Sequence, residues 1–270
     1  MKVDLYNLQG KTEKKIDLPG QFNEPVRKDL VKKAVLTVQA NKRQPYGAKP
    51  GAGMRASSKV SRRRRKYRGS YGRGISRVPR KVLNRRGTQF YYVGATAPGT
   101  VKGRRAHPPK AEKIWSKKIN LIEKRKAIRS ALAATTNLDL IQKRGHRTNK
   151  LTLVIDSKVE NIEKAKEIKK ILLALGLEKE LKRLQQKKVR AGKGKARGRK
   201  YKKKKGPLLV TSKPCNLKKA ARNLQGVEVC EIKKINAELL APGAELGRLT
   251  IFTQESLNIL KEKSLFGKKK

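Results

Sequence analysis

The sequence predicts an α/β domain with a mostly parallel sheet, flanking helices in three layers, and a long irregular basic loop extending from it. Three observations carry that prediction. Short apolar runs of strand type alternate with helical aliphatic stripes in both end portions of the chain. Between those portions, residues 30–111 contain no carboxylate at all. The 270-residue chain as a whole sets 72 Lys and Arg against 20 Asp and Glu, a net charge of +52.

Residues 1–41 read as the first part of the domain. "VDLYNL" (3–8) and "EKKIDL" (13–18) suit two short strands around the turn-forming Gly10-Lys11. Asn23 reads as the N-cap of a helix with Pro25 near its start, and Val26, Leu30, Val31, Ala34 and Val38 give it one apolar face. Residues 111–262 resume the pattern. "LIEKRKAIRSALAATT" (121–136) places Leu121, Ile128, Ala131 and Leu132 on one helix face, and "LTLVID" (151–156) is a buried-strand run. Ile162, Ile168, Ile171, Leu172 and Leu175 mark a further helix ending at Gly176. "PLLVTS" (207–212), "VEVCEI" (227–232) and "RLTIFT" (248–253) read as strands, "LKKAARNLQG" (217–226) as a helix, and Thr253 as the cap of a last helix. Trp115 reads as a core residue or as an anchor where the chain re-enters the domain, with core preferred.

Residues 42–110 break the pattern. They hold 21 Lys and Arg, 10 Gly and 6 Pro, with few large aliphatics and neither helical nor strand periodicity among them. Burial there does not offset the entropy of ordering, so the free segment is expected to be mobile and to need an external scaffold. A second acid-free island, 182–205, interrupts the later part with 14 Lys and Arg, and 263–270 is a basic tail.

A charge of +52 calls for a polyanion, and nucleic-acid phosphate is the abundant one. A membrane surface is the rival, but the sequence holds no long apolar run and no signal-like segment after Met1, so no membrane partner is expected. Arginine presents a planar fork of donors to phosphate oxygens, and glycine lets the backbone approach closely. The candidate RNA-binding cations of the loop begin with Arg62, Arg63, Arg64, Arg65, Lys66 and Arg68. They continue with Arg73, Arg77, Arg80, Arg85 and Arg86, and on the returning arm Lys102, Arg104 and Arg105. In the second island Lys193, Lys195, Arg197, Arg199 and Lys200 would clamp RNA from the globular side. Tyr46, Tyr67, Tyr71, Tyr91 and Tyr92, with Phe90, are candidates for stacking on unpaired bases. At most about 3.3–3.6 Å per residue, such a loop spans on the order of 100 Å out and back, which suits a large folded RNA.

Catalytic and metal chemistry find no support. "GSYGRG" (69–74) and "AGKGKARGRK" (191–200) match neither a dinucleotide fingerprint nor a phosphate loop. His107, His146, Cys215 and Cys230 have no zinc-type spacing. The thiols read as reduced, buried or half-buried residues, and His146 as an RNA contact or turn cap. Asp139, Asp156, Glu228 and Glu231 read as caps and ion pairs. No cofactor and no small-molecule substrate are expected.

Seven segments carry a resemblance: "PVRKDLVKKAV" (25–35), "GISRVPR" (74–80), "GRRAHPPK" (103–110), "AIRSALAATT" (127–136), "KRGHR" (143–147), "RAGKGKARGRKY" (190–201) and "LAPGAELGRLTIFTQESL" (240–257). In this order they resemble the archaeal form of universal large-subunit ribosomal protein four, over essentially the whole chain. The lack of a long C-terminal extension agrees with the archaeal type. The resemblance implies a structural, non-catalytic protein of the cytoplasmic ribosome whose partners are large-subunit rRNA and neighbouring large-subunit proteins. It also implies a loop tip, near Gly69 to Arg80, in the wall of the nascent-peptide exit tunnel, with Tyr71, Arg73, Arg77 and Arg80 as tunnel-wall candidates. A DNA-compacting protein and an RNA-modifying enzyme with a basic arm are the rival readings.

Overall fold

The computed structural model describes residues 1–151 and 153–267. It divides into two units, one made of Met1–Lys42 with Ser116–Lys270 and one of Arg43–Trp115. In the first, six strands form a sheet: β1 (Lys2–Tyr6), β2 (Thr12–Asp17), β5 (Leu153–Ile155), β8 (Leu208–Thr211), β9 (Glu228–Glu231) and β10 (Thr250–Thr253). Their spatial order is β2-β1-β5-β10-β8-β9. Only β1 and β2 are antiparallel; every other pairing is parallel.

The antiparallel pair owes its turn to local chemistry. Asn7 Oδ1 accepts from the amides of Gln9 and Lys11, both at 2.9 Å. Gly10 sits at φ +79°, where a Cβ would stand 2.4 Å from the Ala174 carbonyl oxygen, so no other residue fits.

Helices cover both faces of the sheet. The intervening helices of this unit are α1 (Lys28–Lys42), α2 (Leu121–Ala134), α3 (Leu138–Lys143), α4 (Ala165–Ala174), α5 (Glu178–Gln185), α6 (Leu217–Ala221), α7 (Ala237–Leu240) and α8 (Gln254–Glu262). Strand alternation splits the core in two. Leu5, Val154, Leu208, Val210 and Phe252 pack with α1, α2, α7 and α8 on one face. Leu209, Ile251 and Ile155 pack with α3, α4 and α6 on the other. The three layers expected from the sequence are therefore present.

Several boundaries differ from the sequence reading. The first helix begins at Lys28, not behind Asn23. Gly20–Asn23 instead forms a 3-10 turn that carries Phe22 into the core, edge-on to Phe252 at 5.5 Å. The entry to α1 is held from outside the helix, where the buried Ser130 hydroxyl accepts the Arg27 amide at 2.6 Å. The helix expected over 217–226 is regular only to Ala221. Residues 182–185 of the second basic island belong to α5, and the island itself closes on the short pair β6 (Lys188–Val189) and β7 (Tyr201–Lys202). Thr253 caps α8 through its hydroxyl, as expected. Residue 152 of the expected strand run and residues 268–270 of the basic tail lie outside the described residues.

The unit Arg43–Trp115 corrects the sequence reading most. It is not without strands: β3 (Arg80–Arg86) pairs antiparallel with β4 (Gln89–Gly94), and a bulge sets Leu83 out of register. In β4, Phe90 and Tyr92 are half-buried while Gln89, Tyr91 and Val93 are exposed, an alternation of period two. That period is hard to see in the sequence because the inward rings meet arginine side chains, not aliphatic ones. Gly87, at φ +53°, opens the two-residue turn between Arg86 and Gln89.

Candidate nucleic-acid interface

The stem of the Arg43–Trp115 unit is two chain segments running side by side. Ala48 donates its amide to the Pro109 carbonyl at 2.9 Å. A Cβ at Gly53 would stand 2.5 Å from the Arg104 backbone, so glycine is what lets the two arms touch. Trp115, expected in the core in preference to an anchor, is half-exposed and stacks on Tyr46 with centroids 4.9 Å apart, as the anchor alternative has it. The Arg43 guanidinium covers both rings, at 5.0 and 4.2 Å. Tyr46 thus has a protein partner on its ring.

The distal part is built from arginines and rings. Tyr67 stands edge-on to Phe90 at 5.3 Å and donates its hydroxyl to the Gly87 carbonyl. Arg85 lies over Tyr67 and Phe90, Arg68 over Phe90, and Arg80 over Tyr92. Arg64 and Arg77 both approach Tyr71, at 5.9 and 4.4 Å. Arg80 also spends its donors internally, on the Ser76 and Val78 carbonyls and the Ser76 hydroxyl. Tyr91 is different. It is 56% exposed, and among the described residues it joins no ring or cation pair.

Charge compensation separates the two units sharply. Every ion pair among the described residues lies outside Arg43–Trp115. Arg62, Arg63, Arg64, Arg65, Lys66 and Arg68 are exposed, as are Arg73, Arg77, Arg85, Arg86, Lys102, Arg104 and Arg105. Arg65, Arg68 and Lys102 hold positive φ (+55°, +76° and +60°), a conformation that costs side-chain-bearing residues about 1–3 kcal/mol each. Repulsion and backbone strain are thus concentrated in the same residues.

In the other unit, the hairpin β6–β7 carries Lys193, Lys195, Arg197, Arg199 and Lys200, all exposed. Arg190 braces the turn through bonds to the Lys200 and Arg199 carbonyls. Sequence reasoning missed Tyr201, which is 47% exposed on β7 with Lys187 and Lys200 near its ring. Its placement within a lysine run was the available signal. His146, read as an RNA contact or turn cap, is instead buried, with Nδ1 2.7 Å from Glu180 Oε1. Glu228 and Glu231 pair with Lys205, Arg248 and Lys234, as ion pairing predicted.

The model of the ribosomal protein L4/L1 family matches residues 16–263. The chain belongs to the ribosomal protein L4/L1 family. Its similarity to curated relatives runs nearly end to end. A large ribosomal subunit protein uL4 of Nanoarchaeum equitans is 52% identical over 267 residues, covering 98% of this chain and 100% of the relative. The protein of the same name from Methanococcoides burtonii is 46% identical, with 94% and 96% covered. That of Archaeoglobus fulgidus is 41% identical, with 97% and 99% covered. The acid-free segment, both basic hairpins and most of the α/β unit fall within the family match.

Proposed function

We propose that this L4/L1 family member is a structural constituent of the large ribosomal subunit, in the cytoplasm, that binds large-subunit rRNA and performs no catalysis. The observation that carries the reading is the uncompensated charge of Arg43–Trp115, exposed on a unit with no internal ion pair among the described residues. Phosphates crowded in an RNA interior supply the missing counter-charge, and contacts to them offset the strain at Arg65, Arg68 and Lys102. The exposed cations from Arg62 through Arg105, with Lys193 to Lys200, are the rRNA-binding set, and Tyr91 is the ring open to a base.

The same reading takes the segment Gly69 to Arg80 to the wall of the peptide exit tunnel. Within it the tunnel-wall candidates divide by chemistry. Arg80 shapes the turn through its bonds to Ser76 and Val78, and Tyr71 is covered by Arg64 and Arg77. Arg73, exposed and without an internal partner among the described residues, is the side chain presented to a passing peptide.

Sedimentation of cell extract through a sucrose gradient tests the first part. The chain is expected with large subunits at moderate salt and still largely with them after a high-salt wash. Recovery at the top of the gradient at both salt levels sinks the reading. A photo-crosslinker at position 73 tests the second part, with adducts to stalled nascent chains expected; adducts to rRNA alone remove Arg73 from the tunnel.

A further inference from the structure

The two edges of the six-stranded sheet are unlike. Strand β2 presents exposed Glu13, Lys14 and Lys15, the charged side chains that keep an edge from pairing with another chain. Strand β9, at the other edge, is half-buried throughout and carries Val229 and Cys230. A cavity of about 860 Å³ lies against its first half, at Val227, Glu228 and Val229.

That cavity lies on the edge and not on a face. Glu228 and Val229 are consecutive strand residues, so their side chains leave opposite faces of the sheet, yet both line it. One wall comes from α1 and α7, with Gln39, Lys42 and Leu239, and the other from α6 and the turn after it, with Lys218, Lys219 and Arg222. The space is a slot between the two helical layers at the place where the next strand of the sheet would lie. The backbone is set for one. Glu228 donates its amide to the Pro207 carbonyl beside β8, and in a parallel ladder alternate residues bond to the same neighbour. Val229 and Glu231 therefore turn their amides outward, that of Val229 into the slot.

The walls specify what kind of strand. Lys42 and Lys205 already pair with Glu238 and Glu228. Lys218, Lys219 and Arg222 are exposed and form no ion pair among the described residues. The opposite wall offers Leu239 and Pro242. We propose that the β9 edge is a docking site for an extended polypeptide segment of a partner protein, added as a seventh strand. Its side chains alternate acidic toward α6 and apolar toward α7. Lysines alone would suit RNA as well; a row of outward amides with an apolar wall suits a polypeptide. The inference does not depend on the reading of Arg43–Trp115.

The test uses the full chain and a synthetic eight-residue peptide alternating valine with glutamate, with a uridine oligomer of equal charge as comparator. Hydrogen exchange resolved by residue is the deciding readout. The peptide is expected to slow exchange at the Val229 and Glu231 amides, and the uridine oligomer is not. Val229→Pro removes an outward donor without breaking the β8 ladder, and is expected to weaken peptide binding by about tenfold. Lys218→Glu with Lys219→Glu, two exposed positions whose change leaves the fold intact, is expected to do the same. Equal protection by the RNA, or peptide binding that leaves both amides unprotected, overturns the proposal. So does peptide affinity unchanged in the folded lysine variant.

Discussion

His146 Nδ1 lies 2.7 Å from Glu180 Oε1, and both side chains are closed off from solvent. The carboxylate is the hub of a small network. Arg183 reaches it through Nη2 at 2.6 Å and Nε at 2.8 Å, and the Arg147 amide donates at 3.0 Å. Burial pushes the Glu180 carboxyl up, but the bonds from His146, Arg183 and Arg147 outweigh it and hold the carboxyl at about 2. Burial also pushes the His146 imidazole below its ordinary value of 6.5, against the pull of Glu180. Neutral His146 therefore donates from Nδ1 to an ionised Glu180.

A pH dependence of stability follows, and both groups push it the same way. Each binds protons less readily in the folded chain than in the unfolded one, so acid favours unfolding. The His146 contribution is complete above the ordinary 6.5 and is lost as pH falls below it. The Glu180 contribution, on the order of 3 kcal/mol, is complete above the ordinary 4.5 and is lost as pH falls toward about 2. Thermal unfolding followed by circular dichroism from about pH 8 down to about pH 3 should show both losses in sequence. His146→Gln is expected to abolish the upper one and leave the lower. A midpoint that rises on acidification contradicts the network.

Arg248 carries a second prediction. It is fully buried, and its guanidinium donates to the Gly206 and Leu239 carbonyls and to Glu228. These partners bring the start of β8, β9 and α7 around one side chain. Arg248→Ala leaves two carbonyls without their donor and opens a cavity, so a loss of about 3–5 kcal/mol is expected in urea unfolding. Glu228→Gln should cost much less, because that carboxylate is one-third exposed and is also paired with Lys205. Equal costs for the two variants would mean that the ion pair, not the carbonyl bonds, holds the junction.

What the sequence disclosed depended on whether the partner of a residue was of the expected kind. Ile168, Ile171 and Leu172 pack on other aliphatics, and Leu208 to Val210 are buried on both faces, so periodicity alone located α4 and β8. Phe90 and Tyr92 alternate just as regularly, but their neighbours Arg68, Arg80 and Arg85 read as RNA ligands and hid the hairpin. His146 and Glu180 are 34 positions apart, with no local pattern to join them. Trp115 reads as core or anchor, with core preferred; its cover is Tyr46 and Arg43, far back in the chain, which no local pattern joins to it. Charge located the candidate interface, while the division between cations left free for a partner and cations that brace the fold needed the side-chain geometry.

Tyr91 and Tyr92 test that division between neighbours. Tyr92 is half-buried beneath Arg80, and Tyr91 faces outward. Tyr91→Ala is expected to weaken binding to an rRNA fragment by about tenfold, the loss of one stacked base, with the hairpin intact. Tyr92→Ala is expected to loosen the hairpin, seen as faster amide exchange across β3 and β4. If Tyr91→Ala binds as the parent does, this ring carries no base.

Salt dependence separates the arginines in the same way. Each phosphate that is no longer neutralised should flatten the slope of log K against log salt by about 0.7–0.9. Arg62 to Arg65 are exposed and have no ion-pair partner among the described residues, so replacing all four with Ala should reduce the slope by about 3. Arg80 spends its guanidinium on Ser76 and Val78. Arg80→Ala should therefore leave the slope nearly unchanged and weaken binding only through a less ordered turn. Filter-binding titrations of the rRNA fragment between about 50 and about 200 mM salt measure both slopes. A steeper change for Arg80 than for the cluster would reverse the roles assigned here, making the brace the anchor and the arginine run a solvated flank.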